Sequence, residues 1–288
     1  MVLAVKKGNV MTKGFRVAVA QMTSGATQDT NLEQALTLVN HAATHGAEYI
    51  QLPEWASFFG AERLYKESAQ TLNGPFVSTL RALSIERRIV IHIGSFLEVG
   101  TGGRYYNTSV MLYPDGHHVL YRKMHLFDVD IPDGVTWRES NTIMAGEEMV
   151  IASTGAAQLG LSICFDVRFP ELYRALSVAG ANVLCVPAAF SSVTGPAHWE
   201  PLLRARAIEN GAFVLAAAQS AGSAPAMTTH GHAMIIDPWG EVLAETTTRG
   251  AEVIMATIDL VDVDEVRQKI DTLHLRRPTL YNGVVRRG

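Results

Sequence analysis

The chain alternates between short apolar runs and stretches with helical spacing. Arg16-Val-Ala-Val-Ala-Gln-Met reads as a buried strand. Leu32, Ala35, Leu36, Val39, Ala42 and Ala43 then recur at helical spacing, with Gly46 where a C-terminal cap belongs. Tyr49-Ile-Gln-Leu is a short strand stopped by Pro53-Glu54. A helix is predicted over 75–88, then strands at Ile89-Val-Ile-His-Ile-Gly, at Tyr106 to Tyr113 and at His118-Val-Leu-Tyr. Pro114-Asp115-Gly116 turns the chain between the last two. The second half repeats the style. Strands are predicted at Gln158-Leu-Gly-Leu-Ser-Ile, Asn182-Val-Leu-Cys-Val-Pro, Phe213 to Ala218 and His232 to Ile236. Helices are predicted from Pro170 to Ala179 and from His198 to Asn210, the latter with Leu202, Leu203, Ala207 and Ile208 inward. Asp237-Pro-Trp-Gly makes a hairpin turn, and a last strand and helix cover 252–270. Strands with helices between them indicate an α/β fold, and the hairpin-like pairs indicate mixed sheets. No short repeat is present.

Composition narrows the classes. The 288 residues are 48% apolar, enough for one large domain, and no linker-like stretch divides them. Residues 1–14 read as an irregular tail, within which Met11 is an alternative start, and 15–288 as the domain. The net charge of −4 gives nothing to track a phosphate backbone, so nucleic acid is not an expected partner. No apolar run approaches the roughly 20 residues of a membrane helix. Two cysteines and no secretory pattern at the N-terminus point to a reducing, cytoplasmic setting.

Three polar residues share one placement: Glu54, Lys123 and Cys164 each follow an apolar strand. Strand ends are where α/β folds gather reactive groups from distant parts of the chain. A carboxylate, an ammonium and a thiol suit acyl transfer, since a sulfur nucleophile needs a base and a stabilised negative charge. The turn after Cys164 runs toward a helix starting near Pro170, whose N-terminus would favour thiolate. On spacing alone a lone cysteine such as Cys164 is more often a buried core thiol than a nucleophile, and Cys185, inside Val-Leu-Cys-Val, reads as one. His230 and His232 suggest metal ligands, but no third ligand has sensible spacing, so no metal is expected. His125 either lines the site or makes a core hydrogen bond, and Gly100-Thr-Gly-Gly103 reads as a flexible turn.

Leu-Pro-Glu54, Tyr-Arg-Lys123-Met-His-Leu-Phe and Cys164-Phe-Asp-Val-Arg-Phe-Pro-Glu resemble the three signature blocks of the nitrilase (carbon–nitrogen hydrolase) superfamily. The resemblance runs from about Arg16 to Tyr281 and is nearest to the Nit branch of amidases. Thr194-Gly-Pro-Ala-His-Trp-Glu, Leu203-Arg-Ala-Arg-Ala-Ile-Glu, Gly231-His-Ala-Met-Ile-Ile-Asp-Pro-Trp-Gly and Arg276-Arg-Pro-Thr-Leu-Tyr resemble further blocks of that branch. The resemblance implies a four-layer α-β-β-α sandwich with two mixed sheets, commonly assembled as a homodimer or higher homo-oligomer. It implies an amidase that hydrolyses a small carboxylate-bearing amide, such as deaminated glutathione or the ω-amide of a 2-oxo acid. The products are an acid and ammonia, formed through a Cys164 thioester without metal or organic cofactor.

In that scheme Glu54 is the base, and Lys123 and the Phe165 N–H hold the oxyanion. Glu139 in Trp-Arg-Glu-Ser matches a second glutamate beside the lysine; otherwise it is an exposed loop residue. Arg168 matches an arginine that grips a substrate carboxylate in related carbamoyl hydrolases, or else pairs with Glu171 or Asp166. Phe190, His198 and Trp199 are further substrate-binding candidates, though the loop from Thr194 to Glu200 could simply cap its helix. Phe165-Asp166 stands where nitrilases proper usually carry Trp-Glu, which favours amide over nitrile. A nitrilase or N-carbamoyl hydrolase of the superfamily, a catalytically silent scaffold and a papain-like cysteine–histidine hydrolase are the competing readings.

Overall fold

The computed structural model describes residues 14–131, 135–155, 157–220 and 228–281. The expected tail over 1–14, Met11 included, lies outside the described residues except for Gly14. The first half contains β1 (Phe15–Met22), α1 (Gln28–Thr44), β2 (Tyr49–Gln51), α2 (Tyr65–Ser68), α3 (Pro75–Arg87), β3 (Val90–Val99), β4 (Tyr105–Leu112) and β5 (His118–Arg122). A two-stranded hairpin, β6 (Asp128–Ile131) and β7 (Val135–Arg138), follows. The second half contains β8 (Ile151–Thr154), β9 (Ala157–Leu161), α4 (Pro170–Val178), β10 (Val183–Cys185), α5 (Gly195–Asn210), β11 (Phe213–Ala216), β12 (Ala218–Gln219) and β13 (Met234–Ile236). The chain ends with β14 (Val242–Glu245), β15 (Glu252–Ile258), α6 (Val261–Lys269) and α7 (Pro278–Tyr281).

Both large sheets are mixed. One has the order β12-β1-β2-β3-β4-β5, with β15 also paired to β1; the other runs β14-β13-β11-β10-β9-β8. The first sheet has a parallel run β12-β1-β2-β3, with β15 antiparallel to β1 and β4 antiparallel to β3; the second has a parallel run β9-β10-β11, flanked by the antiparallel β8 and β13. Strand alternation explains the layering. On β1, Val17 and Val19 face the second sheet, while Ala18, Ala20 and Met22 face α1 and α3. Leu38 and Val39 of α1 and Phe76 and Leu80 of α3 cover that outer face. Leu172, Tyr173 and Leu176 of α4 and Trp199, Leu203 and Ala207 of α5 join the core that includes the second sheet. The result is the expected α-β-β-α sandwich.

Two helix details differ from the sequence reading. α5 starts at Gly195, three residues earlier than expected, with Pro196 in its first turn. Ile208 is 52% exposed rather than inward. The buried face of α5 instead includes Arg206 and Asn210, polar residues that apolar periodicity passes over. No described helix is long and apolar enough to cross a membrane.

Candidate active site

Glu54, Lys123 and Cys164 arrive from three strand ends. After β2 the chain turns hard: Trp55 has φ +58°, and its N–H donates to Ser95 Oγ at 2.8 Å. Gly94 lies against this turn, where a Cβ would meet Leu52 O at 2.0 Å and Pro187 Cβ at 2.4 Å. Only a residue without a side chain permits that approach. Lys123 directly follows β5; its N–H donates to Asn107 O at 3.0 Å, and its carbonyl accepts from Gly146 N–H at 2.8 Å.

Cys164 opens a tight 3₁₀ turn, Cys164–Arg168, with φ +47°. A non-glycine residue in the left-handed region persists only where its surroundings hold it. Here they do. Cys164 N–H donates to Pro187 O at 2.9 Å. Asp166 is fully buried and accepts from Ile163 N–H (2.8 Å), Tyr121 O–H (2.7 Å) and His125 N–H (3.0 Å). Arg206 grips Val167 O through Nε (2.9 Å) and Nη2 (2.7 Å). The turn is thus tied to the first sheet by a carboxylate and to α5 by a guanidinium.

Lys123 Nζ lies 2.9 Å from Glu54 Oε1 and 2.9 Å from Glu139 Oε2, and none of the three side chains is more than 4% exposed. Burial by itself would lower the lysine pKa. The Glu139 and Glu54 charges outweigh it and hold the ammonium well above the usual range. Glu54 accepts two further bonds, from Asn107 Nδ2 to Oε1 (2.9 Å) and from Ala189 N–H to Oε2 (2.8 Å). Glu139 is buried, not an exposed loop residue; its Oε2 also accepts from Phe127 N–H at 2.7 Å.

Burial, then the Glu54 charge and a hydrogen bond to Glu54, push the Cys164 thiol well above the ordinary range; Lys123 opposes this and loses. This corrects the expectation of a thiolate favoured by a helix N-terminus. The helix, α4, begins only at Pro170, and the resting sulfur is a thiol beside a carboxylate.

One cavity is lined by all four of Glu54, Lys123, Glu139 and Cys164, together with Phe165, Arg168 and Phe190. Trp55, Phe58, Phe59, Tyr65, Phe127 and Trp137 complete an aromatic wall. The Phe165 N–H has no backbone acceptor among the described residues, as befits the first turn of a helix. Arg168 is half-buried, and burial lowers its pKa. It pairs with neither Glu171 nor Asp166. Its guanidinium reaches His198 Nδ1 at 3.2 Å and Thr194 Oγ1 at 3.4 Å, and lies 5.1 Å from the centre of the Phe190 ring. His198 is exposed and does not line the cavity; it touches the lining residues Arg168, through its ring, and Thr194, through its backbone N–H.

Trp199 is a correction. It is fully buried behind Phe190, its Nε1–H donates to His232 O at 2.7 Å, and it does not line the cavity. His125 makes the core hydrogen bond, Nδ1 to Asp166 Oδ1 at 2.7 Å, and stacks on Phe169. His232 bonds Glu245 at 2.6 Å, and among the described residues no cluster of three or more His, Cys, Asp or Glu side chains could hold a metal. Sequence reasoning missed Asn107 and most of the aromatic wall. The run Trp55-Ala-Ser-Phe-Phe directly after Glu54 was the available signal for the wall.

The model of the carbon–nitrogen hydrolase family matches residues 16–268. The chain belongs to the carbon–nitrogen hydrolase family. Among its relatives in that family, deaminated glutathione amidase from Synechocystis sp. is 43% identical over 269 residues, covering 92% of this chain and 98% of the relative. Human omega-amidase NIT2 is 36% identical, covering 93% of this chain and 96% of the relative. The C. elegans NitFhit crystal structure superposes with a TM-score of 0.88 at 37% identity, covering 94% of this chain and 67% of that one. The sandwich is therefore the fold of the nitrilase superfamily.

Proposed function

We propose that this carbon–nitrogen hydrolase is an amidase in which Cys164 attacks the amide carbon, Glu54 moves the protons and Lys123 stabilises the oxyanion. The observation that carries the proposal is the convergence of thiol, carboxylate and ammonium from three strand ends on one cavity, with Lys123 Nζ 2.9 Å from Glu54 Oε1. The thiol is protonated at rest, so its proton passes to Glu54 as the S–C bond forms. Two of the three Nζ hydrogens are engaged by Glu54 and Glu139, which leaves one for the developing O⁻. The Phe165 N–H is the second donor. A preorganised donor of this kind contributes about 3 kcal/mol to the transition state. Glu54 then returns its proton to the departing nitrogen, the C–N bond breaks, and a thioester stays on Cys164. Water, deprotonated by Glu54, attacks the thioester; the acid leaves and the thiol is restored. Glu139 holds Lys123 in place throughout.

The substrate we propose is a small amide bearing a carboxylate, with deaminated glutathione and the ω-amide of a 2-oxo acid as the leading cases. The relatives' names support that choice. So does Arg168, a cavity-lining cation with no carboxylate partner among the described residues. Phe190 and Phe165 flank the guanidinium and steer the carboxylate to it. Two free cysteines suit a reducing, cytoplasmic setting, and we expect a homodimer.

Turnover of a 2-oxo acid ω-amide, of deaminated glutathione and of a neutral amide of similar size, read as released acid, tests this. The acidic amides should be preferred. Arg168→Ala should raise KM about 10-fold or more for them alone, in line with the strength of charge-assisted bonds. Equal effects on the neutral amide would remove the carboxylate role, and no turnover of any amide would remove the amidase.

A further inference from the structure

The cluster around Lys123 has a fourth member that the reaction as written does not employ. Asn107 sits within β4, fully buried. One Nδ2 hydrogen goes to Glu54 Oε1 at 2.9 Å and the other to Glu139 Oε1 at 3.2 Å. Its backbone carbonyl accepts the Lys123 N–H. A single residue therefore touches both glutamates and the backbone of the lysine between them.

The orientation of the carboxamide is fixed by its neighbours. Turned the other way, its oxygen would face two carboxylate oxygens, and acceptor would meet acceptor. The oxygen that faces away, Oδ1, is buried and has no hydrogen-bond partner among the described residues. A buried carbonyl left unpaired is a cost, so packing alone would favour an apolar side chain here. What the carboxamide supplies is its two donors.

The two oxygens of Glu54 consequently differ. Oε1 accepts from both Lys123 Nζ and Asn107 Nδ2, whereas Oε2 accepts from Ala189 N–H and from neither of those side chains. We infer that Asn107 is a positioning residue that occupies Oε1 of Glu54 and ties it to Glu139, so that Oε2 is the oxygen that takes the thiol proton. The inference rests on the reading of Glu54 as the base. Asn107 does not line the cavity, so its effect should fall on proton transfer and not on substrate binding.

The titratable groups facing Glu54 are Lys123 after β5, Glu139 after β7, Cys164 after β9 and Tyr65 from α2. Asn107→Ala leaves each of them in place and removes only the donors. The freed carboxylate becomes more basic, so the acid limb of the kcat pH profile should move upward by about half a unit or more. With this, kcat should fall about 10- to 100-fold, with KM changed less than about threefold. Asn107→Asp keeps the shape but adds a third acceptor, and should lose more activity than Asn107→Ala. Asn107→Ser retains one donor and should lie between wild type and Asn107→Ala; it carries the test if Asn107→Ala does not fold. Thermal melts establish folding in each case. A folded Ala or Ser variant with the wild-type acid limb and kcat overturns the inference, as does a loss that appears only in KM. Failure of the underlying reading is distinguishable, because the wild-type enzyme itself would then show no amide turnover.

Discussion

The two cysteines of this protein lie one strand apart and are both buried, yet they belong to opposite kinds of polar cluster. Cys164 stands past the end of β9 among three charged side chains and opens on a cavity. Cys185 sits inside β10, between the sheets. Its sulfur lies 3.4 Å from Tyr49 Oη, which is 2.7 Å from His92 Nδ1, and His92 Nε2 is 2.6 Å from Ser109 Oγ. That thread is closed, and burial keeps it neutral: Cys185 is pushed up to about 12 and His92 down to about 3. Both thiols hold their protons, so thiol acidity does not separate them. What separates them is a neighbouring carboxylate able to accept the proton and space for a carbonyl carbon to approach. One cluster can change its charge state during a reaction; the other can only lock two sheets together.

The comparison breaks most directly on substitution of the sulfurs. Cys164→Ala should lower kcat by at least about 10⁴-fold with the fold intact. Cys185→Ala should leave kcat within about twofold and cost about 1–3 kcal/mol in urea unfolding. Comparable activity losses for the two would contradict the division. Gly94→Ala should disturb both clusters, because the added Cβ collides with Leu52 O on the Glu54 side and with Pro187, two residues past Cys185 and the end of β10. Overpacking against backbone costs about 1–3 kcal/mol or more. A lowered melting temperature and a reduced kcat should therefore appear together, and an unchanged kcat would show that the Glu54 turn tolerates displacement.

The smallest expected effect concerns pH and the closed thread alone. In the unfolded chain His92 takes up a proton near 6.5, and in the folded chain only near 3. Between those values the unfolded state binds more protons, so stability falls as pH falls, by up to about 1.4 kcal/mol per unit. His92→Gln should flatten that slope in urea titrations between pH 6 and 4 without altering kcat at neutral pH. An unchanged slope would place the acid sensitivity elsewhere.

How much of this was legible in the sequence follows from where each residue sits. Glu54, Lys123 and Cys164 stand out because each interrupts an apolar run at a strand end, and the surrounding blocks resemble a family. Glu139 stands out by resemblance only, since its neighbours Trp137-Arg138 and Ser140-Asn141 read as an ordinary loop. Asn107 is hidden inside β4, where Asn-Thr-Ser looks like a polar strand segment although all three residues are fully buried. Trp199 looked like a cavity residue because it follows a glycine–proline loop, but helix geometry turns it into the core behind Phe190. The β6–β7 hairpin was not foreseen, because Asp128-Val-Asp-Ile is short and half acidic. The α/β class and the mixed sheets were legible from the order of the elements and the sandwich from the family resemblance alone, whereas the aromatic wall depends on how loops fold over the strand ends.

The central claim is that Cys164 carries the acyl group. With an aryl ester of the same acid, whose leaving group departs without a proton, deacylation becomes the slow step and the intermediate accumulates. Intact-mass measurement of acid-quenched wild-type enzyme should then show a gain equal to the acyl group, located on the peptide containing Cys164 and absent from Cys164→Ala. Steady turnover of the ester with no mass gain, or an adduct on Cys185, would contradict the account.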